Sequence, residues 1–349
     1  MGGHKKSPFE YTIEELDQEL IARGAQVPDE EKFYFNDKEG TPGRDTVMSR
    51  AKELYQTSPP RNESLSHIKT WDLAKVLIFK TQPFSDLTMG DGAVELNDWN
   101  EILDDQAQKN AECVTAICFK DNLIETNTGT SILKVKNYGK TFNLCDNEFF
   151  HDQPISAGRM GTGFLVKNDV IATASHFIDK NNVTDMRFVF GYKMVDASIP
   201  VTEFSKDNVY SGIKILHRGE NSGNNNADWL LVKLDRNVEG WEMAALSKDE
   251  VYWGQVVYIL GHPLGLPLKY GSGASVFENI TETFFWANLN MYSGCLGAPV
   301  FDINTNEIIG MVVKEAGCDF RWTGKGWLSV QKPDGPGIDC IKISALSCS

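Results

Sequence analysis

Three short segments of this chain hold residue types that acid–base and nucleophilic chemistry needs. Gly161-Thr-Gly-Phe-Leu-Val-Lys-Asn-Asp-Val-Ile-Ala-Thr-Ala-Ser-His176 reads as strand, tight turn and strand, ending on a histidine. Ala227-Asp-Trp-Leu-Leu-Val-Lys-Leu234 sets Asp228 just ahead of an apolar strand. Ser293-Gly-Cys-Leu-Gly-Ala-Pro-Val-Phe301 is a glycine-rich turn entering another strand. A hydroxyl is a poor nucleophile at neutral pH, so an imidazole must take its proton and a buried carboxylate must fix the imidazole's tautomer. A glycine-rich turn aims backbone N–H groups at a developing oxyanion without side-chain obstruction. Pro299 keeps such a turn from drifting into a helix and starts the strand.

In this order the segments resemble the histidine, aspartate and nucleophile segments of the trypsin-like serine peptidases, the chymotrypsin-fold superfamily. The likeness extends to Gly261-His-Pro-Leu-Gly-Leu-Pro-Leu-Lys-Tyr270, to Trp286-Ala-Asn-Leu-Asn-Met-Tyr292 and to Phe301-Asp-Ile-Asn-Thr-Asn-Glu-Ile-Ile-Gly310. With Asn143-Leu-Cys-Asp-Asn-Glu-Phe-Phe-His-Asp-Gln-Pro154 ahead of the histidine strand, these are similar to a bacterial branch akin to glutamyl endopeptidases, and the match runs over residues 110–349. The resemblance implies a double antiparallel β-barrel with the active cleft between the barrels. It makes His176 and Asp228 the acid–base pair and 296 the nucleophile position. Gly294 and residue 296 would supply the oxyanion N–H donors, and Val312, Val313 and Lys314 would run along the substrate-pocket wall. The implied substrate is a protein or peptide, with no cofactor.

The departures matter as much. The expected loop is G-x-S-G-x-P, and this chain has Gly294-Cys295-Leu296-Gly297-Ala298-Pro299. Leucine has no nucleophilic atom and cannot hydrogen-bond His176. Loss of the triad serine costs about 10⁶ in turnover and leaves about 10³–10⁴ over water. Cys295 is an alternative nucleophile, since a thiolate beside histidine is competent; it lies one residue early, and Ser293 is a weaker candidate still. The histidine segment reads Thr-Ala-Ser-His176 where Ala or Gly commonly precedes the histidine, a small change. Phe177 stands where a cysteine often follows, so the family's histidine-loop disulfide is absent, in keeping with a reducing compartment. Lys314 has two readings, a solvated strand-end lysine or a cation favouring acidic side chains. His262 reads as a structural residue in a Gly-His-Pro turn. His4, His67, His151 and His217 have no partner pattern, and no metal site is expected.

Elements that would position these residues follow from periodicity. From about residue 110, short β-rich runs alternate with turns. They are Cys113–Phe119, Ser131–Val135, Gly163–Val166, Val170–Thr173, Met186–Phe190, Lys214–Leu216, Trp229–Leu234, Val256–Leu260, Glu282–Trp286, Pro299–Phe301 and Ile308–Val313. Many short strands with no long helix between them predict a mainly β fold, and no internal repeat is evident. Residues 1–105 read instead as a mainly helical N-terminal extension. Thr12-Ile-Glu-Glu15 is a capping box, with Leu16, Leu20 and Ile21 as the apolar face. Asp45–Tyr55, Trp71–Phe79 and Asn97–Lys109 are further helical candidates. The expected division is 1–105, a first barrel over 106–240 with His176 and Asp228, and a second over 241–349 with the loop 293–299.

Bulk properties narrow the class. The chain has 349 residues, 41% hydrophobic and 23% charged, which is globular composition. No apolar run suits a spanning helix, and the start carries no apolar leader, so a cytoplasmic protein is expected; a mature secreted fragment fits the same start. A net charge of −14 repels phosphate backbones, which argues against nucleic acid as a partner. The N-terminal helices offer a surface for a protein partner. Seven cysteines without paired short spacings suggest mostly reduced thiols, with Cys318 and Cys340 as one conceivable disulfide.

Overall fold

The computed structural model describes residues 11–23, 73, 96–219, 228–252, 254–278, 282–289, 294–314, 319–330 and 338–346. The chain divides into two compact units, one of residues 1–92 with Tyr252–Gln255 and one of 93–251 with 256–349. In the first, helix α1 (Ile13–Ala22) begins with the expected box. The Glu15 amide donates to Thr12 Oγ1 at 3.1 Å, and the Thr12 amide donates to Glu15 at 2.7 Å. Leu16 and Leu20 are fully buried, but Ile21 is 47% exposed. Five positions on from Leu16, it stands off the i, i+4 row that the two leucines share. Leu73 is helical and buried; the rest of Trp71–Phe79, and all of Asp45–Tyr55, lie outside the described residues.

The second unit holds two closed, six-stranded antiparallel barrels, the chymotrypsin-like arrangement. The first uses β1 (Val114–Phe119), β2 (Met160–Lys167), β3 (Val170–Thr173), β4 (Met186–Phe190), β5 (Val209–Arg218) and β6 (Leu230–Leu234). They pair in the ring order β1-β2-β3-β6-β5-β4, closed by β4 on β1. The second uses β7 (Val256–Gly261), β8 (Lys269–Glu278), β9 (Phe284–Ala287), β10 (Pro299–Asp302), β11 (Ile308–Lys314) and β12 (Ile338–Lys342). Its ring is β7-β8-β9-β12-β11-β10, closed by β10 on β7. The two orders are the same, so one topology is used twice although the sequence shows no repeat.

Side-chain alternation explains how the barrels share a core. In β7, Val257 and Ile259 join the interior of the second barrel, while Tyr258 and Leu260 join the apolar cluster that also contains Phe164, Ile171, Phe188 and Leu230 of the first. A strand that buries both faces reads as a continuous apolar run, as Val256–Leu260 does. The segment ahead of the first barrel departs from expectation. Asn97–Lys109 is not one helix: Leu96–Asp98 is a strand added antiparallel to β8, followed by a 3₁₀ turn and a short helix, Asp105–Asn110. Asp98 faces Lys269 across that pair, and Asp104 caps the short helix by accepting from the Ala107 amide at 2.7 Å. These contacts break what the apolar spacing alone would continue.

Candidate active site

Strand register places the histidine and the aspartate. β3 and β6 are antiparallel neighbours with Thr173 opposite Leu230. Two residues past the end of β3 and two before the start of β6, the same register sets Ser175 opposite Asp228. His176 follows, with Nδ1 3.3 Å from Asp228 Oδ2. The other oxygen, Oδ1, accepts from the Ser175 amide at 2.8 Å and from its hydroxyl at 2.6 Å. Burial alone would push the Asp228 carboxyl up, but hydrogen bonds from His176 and Ser175 and the charge of the ring outweigh it and hold the group below its ordinary range. The Phe177 ring meets His176 edge-on at 4.9 Å. It also lies where a Cβ on Gly161 would stand, 2.3 Å from its rim, so a glycine in β2 makes room for it.

The glycine-rich loop is fixed from the other barrel. Gly294 and Gly297 have φ of +102° and +87°, a region that side chains rarely adopt. The Gly297 amide donates to the Val312 carbonyl at 2.8 Å, and Val312 returns a bond to the Ala298 carbonyl at 3.0 Å. A Cβ on Gly297 would stand 2.2 Å from the Thr162 carbonyl oxygen and 2.9 Å from the Ala174 amide nitrogen. The loop is therefore seated against the strand that delivers His176. Thr162 braces the contact: its hydroxyl accepts from the His262 amide at 3.0 Å and donates to the Gly294 carbonyl at 3.4 Å. Leu296 sits within this loop, half-buried, packed against the second barrel's core. Cys295 is 1% exposed within that same core, and Ser293 lies outside the described residues.

An open cleft of about 690 Å³ runs past His176 and Asp228, with Arg159, Arg218, Val313 and Lys314 in its walls. Val312 does not line it. Its side chain is fully buried in the barrel interior, because alternation along β11 sends neighbouring side chains to opposite faces. Lys314 is 69% exposed and pairs with Asp339 at 3.6 Å. His262 is buried, stacked on Tyr192. Among the described residues no group of His, Cys, Asp and Glu is arranged to hold a metal ion. Cys340 is buried in the second barrel, and Cys318 lies outside the described residues.

Comparison with known proteins bears on the same region. Residues 161–311, from β2 to β11, match the model of the trypsin-like peptidase domain. Over that stretch the chain carries a trypsin-like peptidase domain. A search of curated proteins finds no match. Among solved structures, the chain is similar to a Glu endopeptidase in complex with MPD, at 14% identity, 72% of this chain, 92% of the other and a TM-score of 0.43. It is also similar to Rv3671c from M. tuberculosis, an inactive-form serine-to-alanine mutant, at 11% identity, 70% and 87% coverage and a TM-score of 0.38. Sequence reasoning missed three residues of this candidate site. Ser175 was legible only as a small departure, Arg218 not at all, and Thr162 only as part of a strand. Counting the antiparallel register from Thr173 and Leu230 is the signal that finds Ser175.

Proposed function

We propose that the chain receives an extended peptide in the cleft beside His176 and Asp228 and, with leucine at 296, holds it without cutting it. The chemistry built around the cleft is that of a serine endopeptidase. The observation that carries this reading is Asp228 Oδ2 at 3.3 Å from His176 Nδ1, beside a glycine loop docked on the histidine's own strand. With a hydroxyl at 296, His176 Nε2 would take its proton as the oxygen attacked the scissile carbonyl. The amides of Gly294 and residue 296 would hold the oxyanion, and the imidazolium would pass the proton to the leaving amine. Water would then release the acyl group by the reverse roles. Leucine offers no lone pair for the first step, which removes about 10⁶ of rate. A thiol in its place is not available from Cys295, whose side chain is turned into the barrel core.

Leu296→Ser tests the reading directly. The variant is expected to gain labelling by a fluorophosphonate and cleavage of casein, both abolished by His176→Ala. A folded Leu296→Ser chain that stays inert would refute the roles given to His176 and Asp228. Cleavage by the unaltered chain, dependent on another residue, would refute the assignment of 296 as the nucleophile position.

A further inference from the structure

Asp228 is held by more than the histidine it faces. One oxygen lies against His176; the other accepts two hydrogen bonds, both from Ser175, one from the amide and one from the hydroxyl. A carboxylate with one bonded oxygen can pivot about its Cβ–Cγ bond, and the Asp228 side chain, 24% exposed, has water to pivot toward. Two donors converging on Oδ1 from one residue fix the plane of the group, and bonds to an ionised acceptor are the stronger kind. The donor is itself anchored. Arg218 Nη2 donates to the Ser175 carbonyl at 2.7 Å and to the Ile178 carbonyl at 2.8 Å, clamping the turn on both sides of His176. From the second barrel, the neighbouring wall presents Val313, whose side chain has no donor, and Lys314, which pairs with Asp339. His176, Asp179, Arg159, Arg218 and Lys314 are the other charged or titratable groups that line the cleft.

We propose that Ser175 is a positioning residue: its hydroxyl, with its own amide, orients Asp228 so that Oδ2 is presented to His176 Nδ1. The proposal rests on reading His176 and Asp228 as the peptidase pair, but it does not depend on a nucleophile. The residue immediately before the histidine thus takes part in the site through the aspartate.

The test uses the full chain with Leu296 in place. The Nδ1–H proton of His176, assigned by its loss in His176→Gln, is followed by NMR together with the titration of the Asp228 carboxyl carbon. Ser175→Ala should weaken or abolish the Nδ1–H signal and move the Asp228 titration upward. Ser175→Thr and Ser175→Val share a shape and differ by the hydroxyl alone, so Thr should retain both signatures and Val lose them. If Val and Thr behave alike, or Ala leaves both readouts unchanged, the proposal is overturned. Asp228→Asn separates the two levels of the reading. If it leaves the His176 signal intact, the pairing itself fails and the role of Ser175 with it. If it removes the signal while the Ser175 variants do not, only the role of Ser175 fails. In a Leu296→Ser background that hydrolyses peptide, Ser175→Val should lower kcat about tenfold with KM unchanged.

Discussion

At the scale of the residue, His262 shows what burial does to a histidine the chemistry does not use. It is 2% exposed, its Nδ1 sits 3.2 Å from the Leu266 carbonyl it donates to, and burial pushes its pKa down to about 3. The unfolded chain takes a proton there near the ordinary 6.5, which the fold refuses. Stability is therefore complete above that value and declines as pH falls toward 3, by up to about 1.4 kcal/mol per pH unit. Urea titrations at pH 6.5 and 4.5 should show His262→Gln losing on the order of 2 kcal/mol less than the parent chain. Asp228 works at a lower window: its carboxyl is held below the ordinary 3.8, so its contribution is present above that value and fades only as pH falls through its folded value. Neighbouring residues made the candidate site partly legible. A histidine closing an apolar strand and an aspartate opening one are local patterns, whereas the inward turn of Cys295 depends on a barrel interior that no neighbouring residue specifies.

Elements were legible where apolar residues ran together and illegible where they did not. β3 and β4 keep the bounds that their sequences predict, Val170–Thr173 and Met186–Phe190. β8 was missed: Lys269-Tyr-Gly-Ser-Gly-Ala carries too many small residues to signal a strand, yet it pairs with three neighbours. β12 was missed because five residues, Ile338-Asp-Cys-Ile-Lys342, with charges at the second and last positions, give little pattern by themselves. The strand Leu96–Asp98 is held to β8 by a buried polar cluster. Lys269 is fully buried against Asp98, donates to Gln153 at 2.6 Å, and has its pKa lowered by burial to about 8. Gln153 in turn donates to Asp98 at 2.6 Å. Removing one member leaves the other charge buried and uncompensated. Chemical denaturation of Asp98→Leu or Lys269→Met should show a loss of about 3–5 kcal/mol, and the double variant should recover much of it. Equal or additive losses in the double variant would show that the ion pair is not the link.

Across the whole molecule, the two barrels repeat one ring order and hold a single apolar cluster in common, with Tyr258, Leu260, Phe301 and Met311 of the second barrel in the same cluster as Phe164 and Leu230 of the first. We propose 240/241 as the boundary between the barrels. A fragment of 241–349 would expose that shared face, and it should lack the dispersed amide spectrum of a folded domain; a well-dispersed spectrum would mean that the barrel is independently stable. No helix among the described residues is long and apolar enough to cross a membrane. By itself the sequence determined the β class, the succession of histidine, aspartate and glycine turn, and the leucine at 296, because alternation, turn residues and side-chain chemistry are local properties of the chain. Tertiary structure alone decided that β8 and β12 complete a second barrel, that Val312 faces its interior while Val313 reaches the cleft, and that Ser175 shares Asp228 with His176. Those outcomes depend on register and closure between strands far apart in the chain, where each partner is chosen by pairing and shared burial rather than by its own residues.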